Sequence, residues 1–376
     1  MKDKPIFLPG LNGIRAIAAI GVLISHISLA SSKFDIKNFS ILGFENGKPS
    51  GWILGEHGVT MFFVLSGFLI TYLLLKEFDK INTIKIKEFY MRRILRIWPL
   101  YFLFIFLVLV VYYGVIDSKL NSNIIYYIFF IANIPFINNE AFSGMDHLWS
   151  ISVEEQFYLF WPFLFVLLKR KNFVGYIIAV IGVFSIFRIG VWYFVPFSKI
   201  ALYAVVNRFD CMFFGALGAY LLCEKYRIID FLNSKVNQLF SWLILALLLI
   251  NKFWFLNSII EIFLIEYVTL SLIIGQIKGD NNFFSLEIQP LTYLGKISFG
   301  IYVYHPLVIV VYSCFFKFKN QFSEFYFGVF IYLLIIITTL IISHLSYYYF
   351  EKKFLKRKRK FSIVKSTNEL NPNLIS

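Results

Sequence analysis

Ten apolar stretches, each long enough to cross a bilayer, follow one another along this chain. They fall at about residues 11–29, 57–75, 97–115, 147–168, 173–194, 204–223, 237–254, 257–277, 293–314 and 324–349. Hydrocarbon offers no water to bond backbone amides, so such stretches are read as helices that satisfy their own hydrogen bonds. Composition agrees: 59% of the residues are hydrophobic and only 15% charged, whereas soluble domains carry about 25% charged residues. The predicted fold is therefore all-α, a polytopic membrane bundle of about ten helices. The net charge of +14 would point to nucleic acid in a soluble chain, but here membrane topology accounts for it.

Placing the N-terminus inside collects Lys76, Lys80, Lys85, Lys87, Arg92, Arg93, Arg96, Lys169, Arg170, Lys171, Lys225, Arg227, Lys278 and Lys296 on one side, together with the basic tail. The other side holds only a scatter of lysines. The positive-inside rule then puts both termini in the cytoplasm. The first stretch is read as an uncleaved span, since no small-residue cleavage site follows it. One transmembrane domain is expected over residues 1–350. A basic, disordered cytoplasmic tail is expected over 351–376, with Glu351–Lys360 resting against anionic lipid. Cys211, Cys223 and Cys314 lie in apolar segments and fit neither a disulfide nor a metal motif.

Ionisable groups inside spans are costly and mark sites. Arg15 and His26 are eleven residues apart, so they share one helical face about 16 Å apart along the axis. His26 is read either as a general base or as an interhelical hydrogen-bond partner. Arg92, Arg93 and Arg96 cluster where an inner loop enters the third span, with Trp98 and Tyr101 among them. They are read as ordinary inner-side charge or as a site for an anionic ligand such as a nucleotide-bearing cofactor. Glu154 and Glu155 stand two turns into an apolar helix. Glu154 is expected to orient the His26 ring, or else to serve packing. Ser66, Trp149, Tyr158, Tyr304 and His305 are assigned to the substrate wall. Pro306 predicts a kink behind them. Arg208 and Asp210 are expected to pair, with Arg188 a third in-membrane ion, and His57 and His344 are placed at the membrane interface.

Five of these motifs together resemble the acyltransferase 3 family. They are Arg15-x10-His26, the stretch Gly58-Val-Thr-Met-Phe-Phe-Val-Leu-Ser-Gly-Phe-Leu-Ile70, and the Arg92-Arg93-x2-Arg96 entry with Pro99 and Tyr101. The other two are Trp149-Ser-Ile-Ser-Val-Glu-Glu-Gln-Phe-Tyr158 and Ile297-Ser-Phe-Gly-Ile-Tyr-Val-Tyr-His305. The resemblance runs in order from about Leu8 to Phe350 and implies ten spans in a bacterial inner membrane. It implies acyl-CoA, foremost acetyl-CoA, as donor from the cytoplasm, with no metal. It implies a hydroxyl of a surface polysaccharide or glycolipid as acceptor. Arg15 and His26 would be essential, and Arg93 and Arg96 would bear on the donor. Thr60 departs from relatives that often carry an acid there. With no hydrolase-like domain after the tenth span, the resemblance is to the stand-alone form. Two other readings stay open: a transporter or flippase for an anionic substrate, and an acyltransferase acting on a lipid, peptide or small metabolite.

Overall fold

The computed structural model describes residues 6–45, 47–116, 122–168, 172–249, 258–318 and 323–364. Each of the ten apolar stretches contains a helix among the described residues; the sixth is interrupted at Asn207 and Arg208, and residues 250–257 lie outside the described ones. In chain order these helices are α1 (Leu11–Leu29), α2 (Trp52–Ile81), α3 (Ile86–Val111), α4 (Leu148–Leu167), α5 (Phe173–Phe194), α6 (Phe209–Cys223), α7 (Lys235–Leu249), α8 (Ser258–Lys278), α9 (Gln289–Phe315) and α10 (Glu324–Leu345). Among the described residues, eight helical stretches are long and apolar enough to cross a bilayer. The other two are α4, which carries Glu154 and Glu155, and the shorter α7. The only sheet among the described residues is a two-stranded hairpin, in which Phe44 faces Pro49. Lys169, Arg170 and Lys171 lie outside the described residues.

The helices divide into an inner set and an outer set. In α2 and α8, 72% of the most apolar window is buried inside the protein, against 22% in α5. A helix apolar all round belongs either in a core or against lipid, and α5 faces outward. The centre is α1, which packs on α9 and α2, while α2 lies along α6. Small residues let these backbones touch. A Cβ on Gly295 of α9 would overlap the Asn12 carbonyl of α1, and one on Gly67 of α2 would overlap the Met212 carbonyl of α6.

Polar ties lock the outer side of this core. Arg188 on α5 donates from Nη2 to both carboxylate oxygens of Asp210 on α6, at 2.7 and 2.6 Å, and both residues are almost wholly buried. Arg208 reaches instead to Glu56 on α2 at 2.7 Å and to the Thr60 hydroxyl at 2.8 Å. The expected Arg208–Asp210 pair is thus replaced by two pairs. Residues two apart at a helix start point to opposite sides, so they meet different neighbours. Asp210 and Cys211 also lie near Glu266, but the Arg188 guanidinium already supplies the cation there. His57 is buried within α2 rather than lying at the interface, because that helix begins one turn earlier, at Trp52. His344 is bonded to the Tyr293 hydroxyl at 2.6 Å.

Two substitutions test this packing through the thermal midpoint of the detergent-purified chain. Asp210→Ala leaves the Arg188 charge buried and should cost about 3–5 kcal/mol. Gly67→Val should cost about 1–3 kcal/mol by forcing α2 off α6. An unchanged midpoint in either variant would show that the contact is not made.

Candidate functional site

One end of the bundle gathers the N-terminal turns of α1, α3 and α9 and the chain beyond α10. They enclose a cavity of about 290 Å³. Arg15, Arg92, Arg93, Arg96 and Lys296 line it, with four more cations from the C-terminal segment and only three carboxylates, Glu77, Glu287 and Glu351. Arg92 is partly neutralised: it bonds Glu77 at 2.8 Å and the Phe361 carbonyl at 2.8 Å. Arg96 has no hydrogen-bond or ion-pair partner among the described residues, and Arg15 holds only the Asn12 side chain at 3.2 Å. Arg93 lies over the face of the Tyr158 ring, 5.7 Å from its centroid. A fixed fork of unpaired guanidiniums suits a phosphate.

A second cavity of about 100 Å³ adjoins the first, and Arg15, Arg93, Arg96, Leu69, Ser298 and Phe299 line both. Its walls are otherwise apolar, from Val59, Phe62 and Ile97, with a polar stripe of Ser66, Glu154 and Tyr158. The Glu154 carboxylate accepts from the Ser66 hydroxyl at 2.8 Å and from the Tyr158 hydroxyl at 3.2 Å. Arg15 and Arg96 are close enough to attract it. Glu155, next in sequence, turns to the Trp98 indole N–H at 2.8 Å. At the far wall stand Ser150 and Tyr302, whose hydroxyls bond each other.

Behind Tyr302 lies a layer of three histidines. The Tyr302 ring centroid is 5.4 Å from that of His147 and 6.0 Å from that of His305. His305 Nε2 is 2.7 Å from His26 Nδ1, and His305 Nδ1 is 2.9 Å from the Ile301 carbonyl. These contacts fix the tautomers of the neutral rings. A carbonyl only accepts, so His305 Nδ1 carries its proton and His305 Nε2 carries a lone pair. His26 must then donate from Nδ1, which leaves its Nε2 lone pair free. His26 is half-buried, whereas His305 is wholly buried.

The structure therefore brings Arg15, Arg93, Arg96, Ser66, Glu154 and Tyr158 together on one path, with His26 and His305 beyond its end. It does not bring Glu154 to His26, as expected from sequence. Glu154 lies seven residues into α4 after His147, about 10 Å further along the axis, and it is His147 that shares the level of the imidazoles. Trp149 packs on Phe136 and Phe63 instead of lining a cavity. Tyr304 points away, bonding the Ser346 hydroxyl at 3.0 Å. Tyr302 and Ser150 are wall residues that lie in the sequence motifs, though sequence reasoning does not assign them to the substrate wall. The available signal was spacing: Tyr302 precedes His305 by three residues and Ser150 precedes Glu154 by four, so each shares a helical face with a residue already singled out. The α9 helix runs unbroken from Gln289 to Phe315 despite Pro306.

Residues 8–348 match a family model described as an acyltransferase domain. A Staphylococcus aureus (strain COL) protein provisionally named an O-acetyltransferase is 27% identical over 384 residues, which cover 94% of this chain and 58% of that one. The O-acetyltransferase OatA of Staphylococcus aureus (strain NCTC 8325 / PS 47) is 25% identical over 380 residues, with the same two shares. This chain thus spans less than two thirds of the length of these curated relatives. No solved structure matches it significantly.

The tautomer assignment predicts the order in which the histidines react with diethyl pyrocarbonate. His26, with a free lone pair, and half-buried His344 should be modified first, and buried His57, His147 and His305 last. Peptide mass spectrometry reads the order, and early labelling of His305 would refute the assignment.

Proposed function

This chain belongs to the acyltransferase 3 family, and from that premise we propose that it is an acyl-CoA-dependent O-acyltransferase of a bacterial plasma membrane. It moves an acyl group, foremost acetyl, from a cytoplasmic thioester to a hydroxyl of a surface polysaccharide or glycolipid. The names of the matched O-acetyltransferases support the O-acetyl reading. The observation that carries the mechanism is the His26–His305 pair, which leaves His26 Nε2 as an unshared base beyond the end of an arginine-lined path.

The donor's phosphates take the wide cavity, against Arg93 and Arg96. Its pantetheine arm has the backbone-bond count of four to five residues, so it extends roughly 14–17 Å. That length matches the ~16 Å rise from Arg15 to His26. The narrower cavity, apolar with one polar stripe, suits such an arm. The acceptor hydroxyl meets the thioester at His26. His26 Nε2 takes the hydroxyl proton while the oxygen attacks the carbonyl carbon. The C–S bond then breaks, and the thiolate leaves with the proton returned by His26. His305 holds the ring throughout and shares the positive charge of the imidazolium.

Removing a general base costs typically 10²–10⁴-fold in rate. His26→Ala, with membrane insertion verified, should lose acceptor acylation by about that factor. His305→Ala should lose less, because the base is kept and only its orientation is freed. The readout is the acyl mass on surface glycan from cells carrying each variant. Undiminished acylation by His26→Ala would overturn the proposal, as would saturable uptake of substrate into vesicles without acyl-CoA.

A further inference from the structure

The C-terminal basic cluster, expected from sequence to rest against lipid, borders the wide cavity. Beyond α10, a π-helical turn over Ser346–Glu351 leads into a helix over Lys352–Lys358 and a 3-10 turn over Arg359–Phe361. This strap folds back along α3. Arg92 donates to the Phe361 carbonyl at 2.8 Å, and Lys80 donates to the Ile363 carbonyl at 3.3 Å. At its start the Ser346 hydroxyl donates to the Glu351 carboxylate at 3.1 Å. The strap is therefore seated on the same arginine-bearing helix that borders the wide cavity.

Its cations divide by what they border. Lys352, Lys356, Lys358 and Arg359 line the cavity, with Leu355 among them. Spacings of three and four put Lys352, Leu355, Lys356 and Arg359 on one side of a helix, with Lys358 at its edge. Lys353, Arg357 and Lys360 are exposed and line neither cavity. An anchor for anionic lipid needs only an outer face. The inner face instead adds like charge to a chamber that already holds Arg15, Arg93 and Arg96, while one of its few carboxylates, Glu77, is taken by Arg92. Concentrating cations in this way is unfavourable unless an anion sits among them.

We propose that the inner face of this strap is the outer wall of the donor site, and that Lys352 and Lys356 bind phosphate oxygens of the nucleotide thioester. The proposal rests on the acyl-CoA reading above. A phosphomonoester carries roughly −2 near neutral pH and accepts several charge-assisted hydrogen bonds, so lysines on adjacent turns can share it. The strap then gives the site a means of preferring phosphorylated carriers over shorter thioesters, while its outer cations remain free for the membrane.

Coenzyme A binding to the full chain in nanodiscs of zwitterionic lipid tests this, because no anionic lipid competes. The double variant Lys352→Gln/Lys356→Gln should weaken binding about 10–100-fold, as expected for losing charge-assisted hydrogen bonds. It should also flatten the salt dependence. Lys353→Gln/Arg357→Gln removes the same charge from the outer face and should leave affinity unchanged. Lys356→Arg, which keeps the charge, should bind nearly as the unmodified chain does. Equal affinity in the inner and outer variants, whether both weakened or both unchanged, would overturn the strap's role and leave the donor reading standing. An unmodified chain that fails to bind coenzyme A would overturn both.

Discussion

A guanidinium inside a bilayer must be paired or must face an aqueous space, since hydrocarbon cannot solvate it. That constraint sorts the buried arginines of this protein into two groups. Arg188 and Arg208 are paired with Asp210 and Glu56, and they tie α5 and α2 to α6. Arg15, Arg93 and Arg96 have no carboxylate bonded to them among the described residues, and they surround the two cavities. The first group makes the bundle rigid and the second makes it a receptacle. Arg92 belongs to both: it is paired to Glu77, yet it borders the chamber and holds the strap that closes it.

The fold was legible because its signal is local. Each long helix announces itself by an apolar run, and every one of the ten runs contains a helix among the described residues. The pairing of ions was less legible, because it depends on which helices are neighbours. Arg208 and Asp210 are two apart in sequence and turn to different partners, and nothing in the sequence reveals that α5 and α2 flank α6. Glu154 is a similar case. Its burial and its place beside Tyr158 could be read from spacing, but its distance from His26 follows from how far α4 penetrates the bundle. The role of the tail was the hardest to read, since a basic run next to a membrane looks alike whether it faces lipid or folds inward.

Thr60 shows how one cation can tie two positions of a helix. Glu56 stands one turn before it on α2, and Arg208 donates to both the Glu56 carboxylate and the Thr60 hydroxyl. The guanidinium spans about 6 Å of the helix axis and so fixes α2 at two points rather than one.

The two imidazoles that face each other across α1 and α9 have a further property. Among the described residues neither ring is bonded to a carboxylate, and the pair takes on charge when it receives a proton. Once His26 gains one at Nε2, the proton on its Nδ1 can cross the 2.7 Å gap to His305. Positive charge then passes from the ring beside the reacting atoms to the ring sealed in the core, without displacement of either helix. The pair is a two-position store for a single proton, filled at one end and emptied from the same end.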